Sequence, residues 1–143
     1  MSRVQLALNV KDLDAAVDFY SRLFGAEPAK RRPGYANFAV ADPPLKLVLM
    51  ECAEEGGTLN HLGVEVESPE HVRAATTRLA DQGLKTAVED NTTCCYAVMD
   101  KVWVKDPDGA PWEVYTVLAD VPEPVDQPEA VAVAPAPSEG RCC

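Results

Sequence analysis

The stretch CCYAVMDKVWVKDPDGAPWEVY, residues 94–115, decides how this chain reads. Its middle, Asp106-Pro107-Asp108-Gly109, is a turn signal, because proline presets φ and glycine accepts a positive φ. On both sides the residues alternate as strands do. Val102, Val104, Trp112, Val114 and Thr116 fall on one face, with Glu113 and Tyr115 on the other. The spacing predicts a β-hairpin built from strands over 94–105 and 111–118. It carries a thiol pair, Cys94 and Cys95, near one end and a carboxylate, Glu113, on its second strand.

Towards the N-terminus the same patterns recur twice. Residues 4–10 alternate as a strand, Asp12 offers a helix N-cap, and apolar residues at helical spacing run to Gly25. A strand or irregular edge and strands over 35–41 and 45–51 complete the first half. In the second half, 59–67 alternate, Ser68 caps a helix with Pro69 in its first turn, and Val72, Ala75 and Leu79 form its buried stripe. Gly83 ends that helix, and 85–89 form a short strand. A shift of 56 residues lays Gln5 on His61, Leu6 on Leu62, Leu8 on Val64 and Asp12 on Ser68. A repeat with its helix caps in register predicts two copies of one unit. The expected fold is α+β: two βαβββ modules, about 3–52 and 59–118, form a half-open mixed β-barrel within a domain spanning 1–118. Residues 119–143 are rich in Pro, Ala, Val and Glu and lack aromatic side chains. They are expected to be a disordered tail ending in Cys142-Cys143.

The formal net charge of −10 argues against nucleic acid or an anionic membrane as partner. No apolar run approaches a membrane span, and Met1-Ser2-Arg3 leads straight into a strand, so a cytoplasmic location is expected. Five cysteines (52, 94, 95, 142 and 143) are an odd number at spacings unlike a secreted disulfide framework. Free, metal-binding or reactive thiols suit them better.

Gln5 and His61 hold equivalent places on the first strand of each repeat, and Glu113 lies on the polar face of the last strand. If the modules curl around one concavity, an amide, an imidazole and a carboxylate converge there as a three-donor metal site with open positions. The bland alternative reads them as a polar strand start, a satisfied strand histidine and an edge carboxylate. End-to-end alignment of the two last strands sets Lys46 or Leu47 opposite Glu113, with Glu51 a remote fourth candidate. His71 reads as a solvated helix residue and Cys52 as a lone thiol. Cys94 and Cys95 together suit one soft centre such as trivalent arsenic, cadmium or mercury. Consecutive strand residues point to opposite faces, so the pair needs a bend, for which Asn91-Thr92-Thr93 is the candidate. The alternative is one packed and one incidental cysteine. The polar run over 90–96 is expected to be a mobile loop. Lys101 or Lys105 could favour the thiolates, at a distance that sequence does not fix.

QLALNVKDLDAAVDFYSRLFG, NHLGVEV and DPDGAPWEVY together resemble the vicinal oxygen chelate superfamily, which includes glyoxalase I, extradiol dioxygenases and bleomycin and fosfomycin resistance proteins. Within it, CCYAVMDKVWVKDPDGAPWEVY is similar to organoarsenical carbon–arsenic lyases and the cadmium-inducible proteins close to them. The resemblance covers residues 3–118. It implies a non-haem Fe(II) site at Gln5, His61 and Glu113 and a trivalent-arsenic site at Cys94 and Cys95. The implied reaction is O₂-dependent cleavage of the carbon–arsenic bond of methyl or aryl arsenicals, releasing arsenite. The protein is expected to be a monomer or homodimer. Gln5 departs from the pattern, since histidine is the commoner ligand there. The competing readings are a thiol protein that sequesters cadmium or arsenic without turnover, and another metalloenzyme of the superfamily, such as a glyoxalase-like isomerase.

Overall fold

Side-chain caps fix both helices. Asp12 Oδ1 accepts from the backbone N–H of Ala15 at 3.1 Å and opens α1 (Leu13–Phe24), which Gly25 closes at φ 62°. Ser68 Oγ accepts from His71 N at 3.3 Å and opens α2 (Pro69–Asp81). Around them the computed structural model, which describes residues 2–94 and 96–121, places one sheet. Its strands are β1 (Arg3–Val10), β2 (Lys30–Arg32), β3 (Tyr35–Val40), β4 (Leu45–Glu51), β5 (Thr58–Glu65), β6 (Ala87–Cys94), β7 (Ala97–Lys105) and β8 (Pro111–Asp120). Their order is β2-β3-β4-β1-β5-β8-β7-β6, and both parallel and antiparallel pairs occur. The expected α+β fold of two βαβββ modules is therefore present.

The repeat is legible in the register. β1 and β5 run antiparallel at the centre, with Gln5 opposite Gly63 and Ala7 opposite His61. The 56-residue shift exchanges these two pairs, as a local twofold axis between them requires. β4 lies parallel to β1 with Val48 beside Ala7, and β8 lies parallel to β5 with Glu113 beside Gly63. The counterpart of Glu113 is thus Val48, and neither Lys46 nor Leu47 occupies that place. β4 has 7 residues and β8 has 10, so aligning them end to end slips the register.

The sheet curls until its β2 edge reaches the other half, beside the start of β7 and the end of β8. Lys30 on β2 donates to the carbonyl of Tyr96, just before β7, at 3.0 Å and to Asp120 at the end of β8 at 2.5 Å. Both helices cover the convex side. Leu13 and Val17 of α1 pack with Phe38, Leu47 and Leu49, while Val72 and Leu79 of α2 pack with Val102. The concave side receives Gln5, Ala7 and Asn9, each no more than 5% exposed. The polar face of β1 is therefore the more deeply buried one, which an amphipathic strand at a surface would not show.

Two expectations need correction. The run over 90–94 is strand, since Thr92, Thr93 and Cys94 pair with Met99, Val98 and Ala97. The bend before the cysteines is a bulge, with Asn91 at φ 52°, and the chain reverses at Tyr96, at φ 66°. Polar side chains disguised an edge strand as a loop, because its outward residues face solvent. Cys94 accordingly ends β6 and does not begin the next strand. At the other end β8 continues past residue 118 to Asp120, and Val121 N donates to the Tyr96 carbonyl at 2.8 Å. The tail expected beyond it lies outside the described residues from 122 onward. No helix among the described residues is long and apolar enough to cross a membrane.

Candidate functional site

Gln5, His61 and Glu113 meet in the concavity, each below 5% exposed. Gln5 Nε2 donates to Glu113 Oε1 at 2.9 Å and lies 3.2 Å from His61 Nε2. His61 Nε2 is 3.3 Å from Glu113 Oε1. Three side chains far apart in sequence thus face one point. Glu113 stands on an interior strand, between β5 and β7, and is no edge carboxylate, while His61 has partners on both ring nitrogens.

The imidazole is oriented by a chain of amides. His61 Nδ1 lies 2.8 Å from Asn60 Oδ1, which can only accept, so the proton sits on Nδ1 and the Nε2 lone pair faces the site. Asn60 Nδ2 donates to Asn9 Oδ1 at 3.0 Å, and Asn9 Nδ2 donates to Thr58 Oγ1 at 2.9 Å, so the Asn60 amide cannot turn without breaking the chain. The edge of the Trp103 ring packs against the imidazole, with centroids 5.4 Å apart.

Lys101 belongs to this centre. Its Nζ donates to Glu113 Oε2 at 2.9 Å, and the side chain is buried. Burial pushes the Glu113 carboxyl upward, but the hydrogen bond with His61 and the charge of Lys101 outweigh it and hold the group at about 2. A hydrogen bond from His61 Nε2 to Glu113 requires the doubly protonated imidazole, whereas Lys101 donates in its ordinary charged form. Lys101 is committed to the carboxylate and leaves Lys105, which lines a cavity with Cys94, as the cation on the thiol side. Lys101 shares its strand face with Ala97 and Met99, which are buried as well.

Gly63 makes room for the cluster. A Cβ there would fall 3.0 Å from Glu113 Cγ and from its carbonyl oxygen, and 3.1 Å from Gln5 Nε2. Close backbone approach is what this glycine supplies.

With the Gln5 amide turned so that its oxygen takes the place of its Nε2, that oxygen, Nε2 of His61 and the carboxylate of Glu113 could hold a divalent cation with positions left open. Among the described residues no group of three or more His, Cys, Asp or Glu side chains is placed to do so; this set draws its third donor from an amide. Glu51 is not part of it. Its Oε2 accepts from the Leu13 backbone N–H at 2.9 Å and helps to start α1. His71 is exposed at the start of α2, with Nδ1 2.6 Å from Ser68 Oγ. Cys52 is a free thiol at the end of β4.

Cys94 is in a disulfide, and Cys95 lies outside the described residues. A cavity of about 290 Å³ opens beside Cys94, lined also by His61, Asn60, Thr92, Trp103 and Lys105. Cys94 and His61 of the buried cluster therefore line one space.

A curled sheet of paired βαβββ modules, with polar donors from β1, β5 and β8 in its concavity, defines the class. The chain belongs to the Glyoxalase/Bleomycin resistance protein/Dioxygenase superfamily, whose model matches residues 3–114. It is 70% identical over 120 residues to the cadmium-induced protein CadI of Mycobacterium tuberculosis (strain ATCC 25618 / H37Rv), spanning 84% of this chain and 79% of that one. It is 64% identical over 121 residues to the trivalent organoarsenical cleaving enzyme of Thermomonospora curvata, spanning 84% and 80%. In structure it is similar to the Mn(II)-bound glyoxalase of Novosphingobium aromaticivorans, at TM-score 0.58 and 22% identity over 85% of this chain and 42% of that one, a likeness of fold.

Proposed function

We propose that this chain is an Fe(II)- and O₂-dependent enzyme that cleaves the carbon–arsenic bond of trivalent methyl or aryl arsenicals and releases arsenite. The observation that carries this is the cavity shared by His61 and Cys94. Likeness to a protein named as cleaving trivalent organoarsenicals supports the substrate class.

Gln5, His61 and Glu113 would hold the ferrous ion, whose contribution when bound is oxygen activation. Cys94, once reduced, and Cys95 would bind trivalent arsenic as thiolates and fix its organic substituent within the cavity. Holding both partners in one space replaces an encounter by an intramolecular step, the usual gain from orientation. Trp103 gives the organic group an apolar wall beside His61. Lys101 keeps Glu113 ionised, so that its oxygens remain donors at neutral pH.

A second reading, sequestration of cadmium or arsenic by thiols without turnover, is suggested by the likeness to a protein named as cadmium-induced. It gives no role to a buried amide–imidazole–carboxylate cluster beside the thiols. Protein reduced and loaded anaerobically with Fe(II), then given a trivalent methylarsenical and air, separates the two. Turnover releases several equivalents of arsenite with a matching carbon product, whereas sequestration retains one equivalent of unchanged arsenical.

A further inference from the structure

Donor and acceptor arithmetic around Tyr115 carries an inference that rests on the metal reading of Gln5, His61 and Glu113. Tyr115 stands on β8 two residues beyond Glu113 and is fully buried. Its hydroxyl lies 2.6 Å from Gln5 Oε1 and 3.1 Å from Glu65 Oε2. Both neighbours are acceptors, and a phenol has one proton to give. In the arrangement observed that proton serves Gln5, and Glu65 Oε2 is served instead by Lys46 at 3.1 Å. The far end of the Gln5 amide, its NH₂, faces Glu113 and His61.

An amide NH₂ has only donors and cannot bind a cation. For Gln5 to act as a ligand its oxygen must face His61 and Glu113, which turns the NH₂ towards Tyr115. The hydroxyl can accept from that NH₂ only if its own proton points elsewhere, and Glu65 Oε2 stands within reach. Arg3 and Lys46 hold Glu65 in place from the outside, at 2.9 and 3.1 Å. The Tyr115 hydroxyl and one amide N–H of Gln5 then have acceptors in both arrangements.

We propose that Tyr115 and Glu65 are positioning residues that let the Gln5 amide reverse: NH₂ inward without metal, oxygen inward with metal. The reversal gives the glutamine a role that a histidine at this place would not have. Without a cation the inward NH₂ hydrogen-bonds Glu113 and keeps the site assembled. With a cation the same side chain turns over and becomes a donor atom. Tyr115 and Glu65 switch together, since one hydroxyl proton moves from Gln5 to Glu65 as its hydrogen-bond acceptor.

The test uses the full-length protein and zinc as a diamagnetic probe. In ¹⁵N-labelled protein without metal, the Gln5 side-chain amide protons should show nuclear Overhauser contacts to the His61 ring. On zinc binding those contacts should be replaced by contacts to the Tyr115 ring. Tyr115→Phe and Glu65→Gln should each weaken zinc binding, measured by competition with a chromophoric chelator, by roughly ten- to a hundredfold, as loss of a ligand's hydrogen-bonding partner does. Gln5→Glu presents an oxygen in either orientation, so adding Glu65→Gln to it should change zinc affinity less than threefold. Amide contacts that stay on His61 when zinc binds, or equal affinities for wild type and both single variants, would overturn the reversal while leaving the metal site standing. Wild-type protein that binds no zinc would overturn the metal reading itself, and the reversal with it.

Discussion

Lys101 Nζ donates to Glu113 Oε2 across 2.9 Å, between side chains that are 1% and 3% exposed. A buried charge pair of this kind does little for net stability as a whole, but removing one partner leaves the other charge uncompensated. Lys101→Met should therefore destabilise the metal-free protein by about 3 kcal/mol. Urea unfolding monitored through the tryptophans would read the loss, and saturating divalent metal should restore part of it by replacing the missing cation.

The depressed carboxyl of Glu113 sets a pH window. In the unfolded chain the group titrates near 4.5, and in the folded chain at about 2. Its contribution to stability is complete above 4.5 and is lost as pH falls through about 2. The melting temperature should fall across this interval, and Glu113→Gln should have a flatter profile there, from a lower starting value. Equal slopes for both proteins would assign the acid sensitivity to other carboxylates. Glu65, lowered by Lys46 and Arg3 against the upward push of burial, should contribute in the same direction.

Gly63 offers a test that leaves every donor in place. Gly63→Ala sets a methyl 3.0 Å from the Glu113 backbone oxygen, which cannot swing aside as a side chain would. Overpacking of this kind costs about 1–3 kcal/mol. Because the displaced groups are Glu113 and Gln5, metal affinity should fall by about tenfold even where the fold survives. Calorimetric metal titration of the variant, with its melting curve as a control, would check this.

The two halves of the site should separate under mutation. Cys94→Ser and Cys95→Ser should each abolish arsenical turnover and leave metal binding unchanged, because the proposed metal donors are Gln5, His61 and Glu113. With Cys94 in a disulfide, turnover should also require prior reduction of the wild type. Turnover that persists in the double serine variant would refute the thiol role.

Helix caps, strand alternation and the 56-residue shift made the architecture readable, because each is a local signal repeated in register. The convergence of Gln5 and His61 followed from the same shift, since equivalent residues of two units related by a twofold axis meet at that axis. Lys101 was harder to see. A lysine on a strand ordinarily marks the solvent face, and only the curl of the sheet, which no local pattern encodes, turns that face inward. Tyr115 and Glu65 were missed for the same reason. β6 was misread because a polar edge strand and a loop share a composition; the difference lies in pairing with β7, a non-local fact.

The most direct measurement compares wild type with His61→Ala under one protocol: anaerobic equilibration with Fe(II), removal of free metal, then a trivalent methylarsenical and air. Bound iron is counted before exposure and arsenite after it. About one iron per wild-type chain with catalytic release of arsenite is expected, and neither from His61→Ala. A His61→Ala protein that keeps its iron and still releases arsenite would contradict the proposed function.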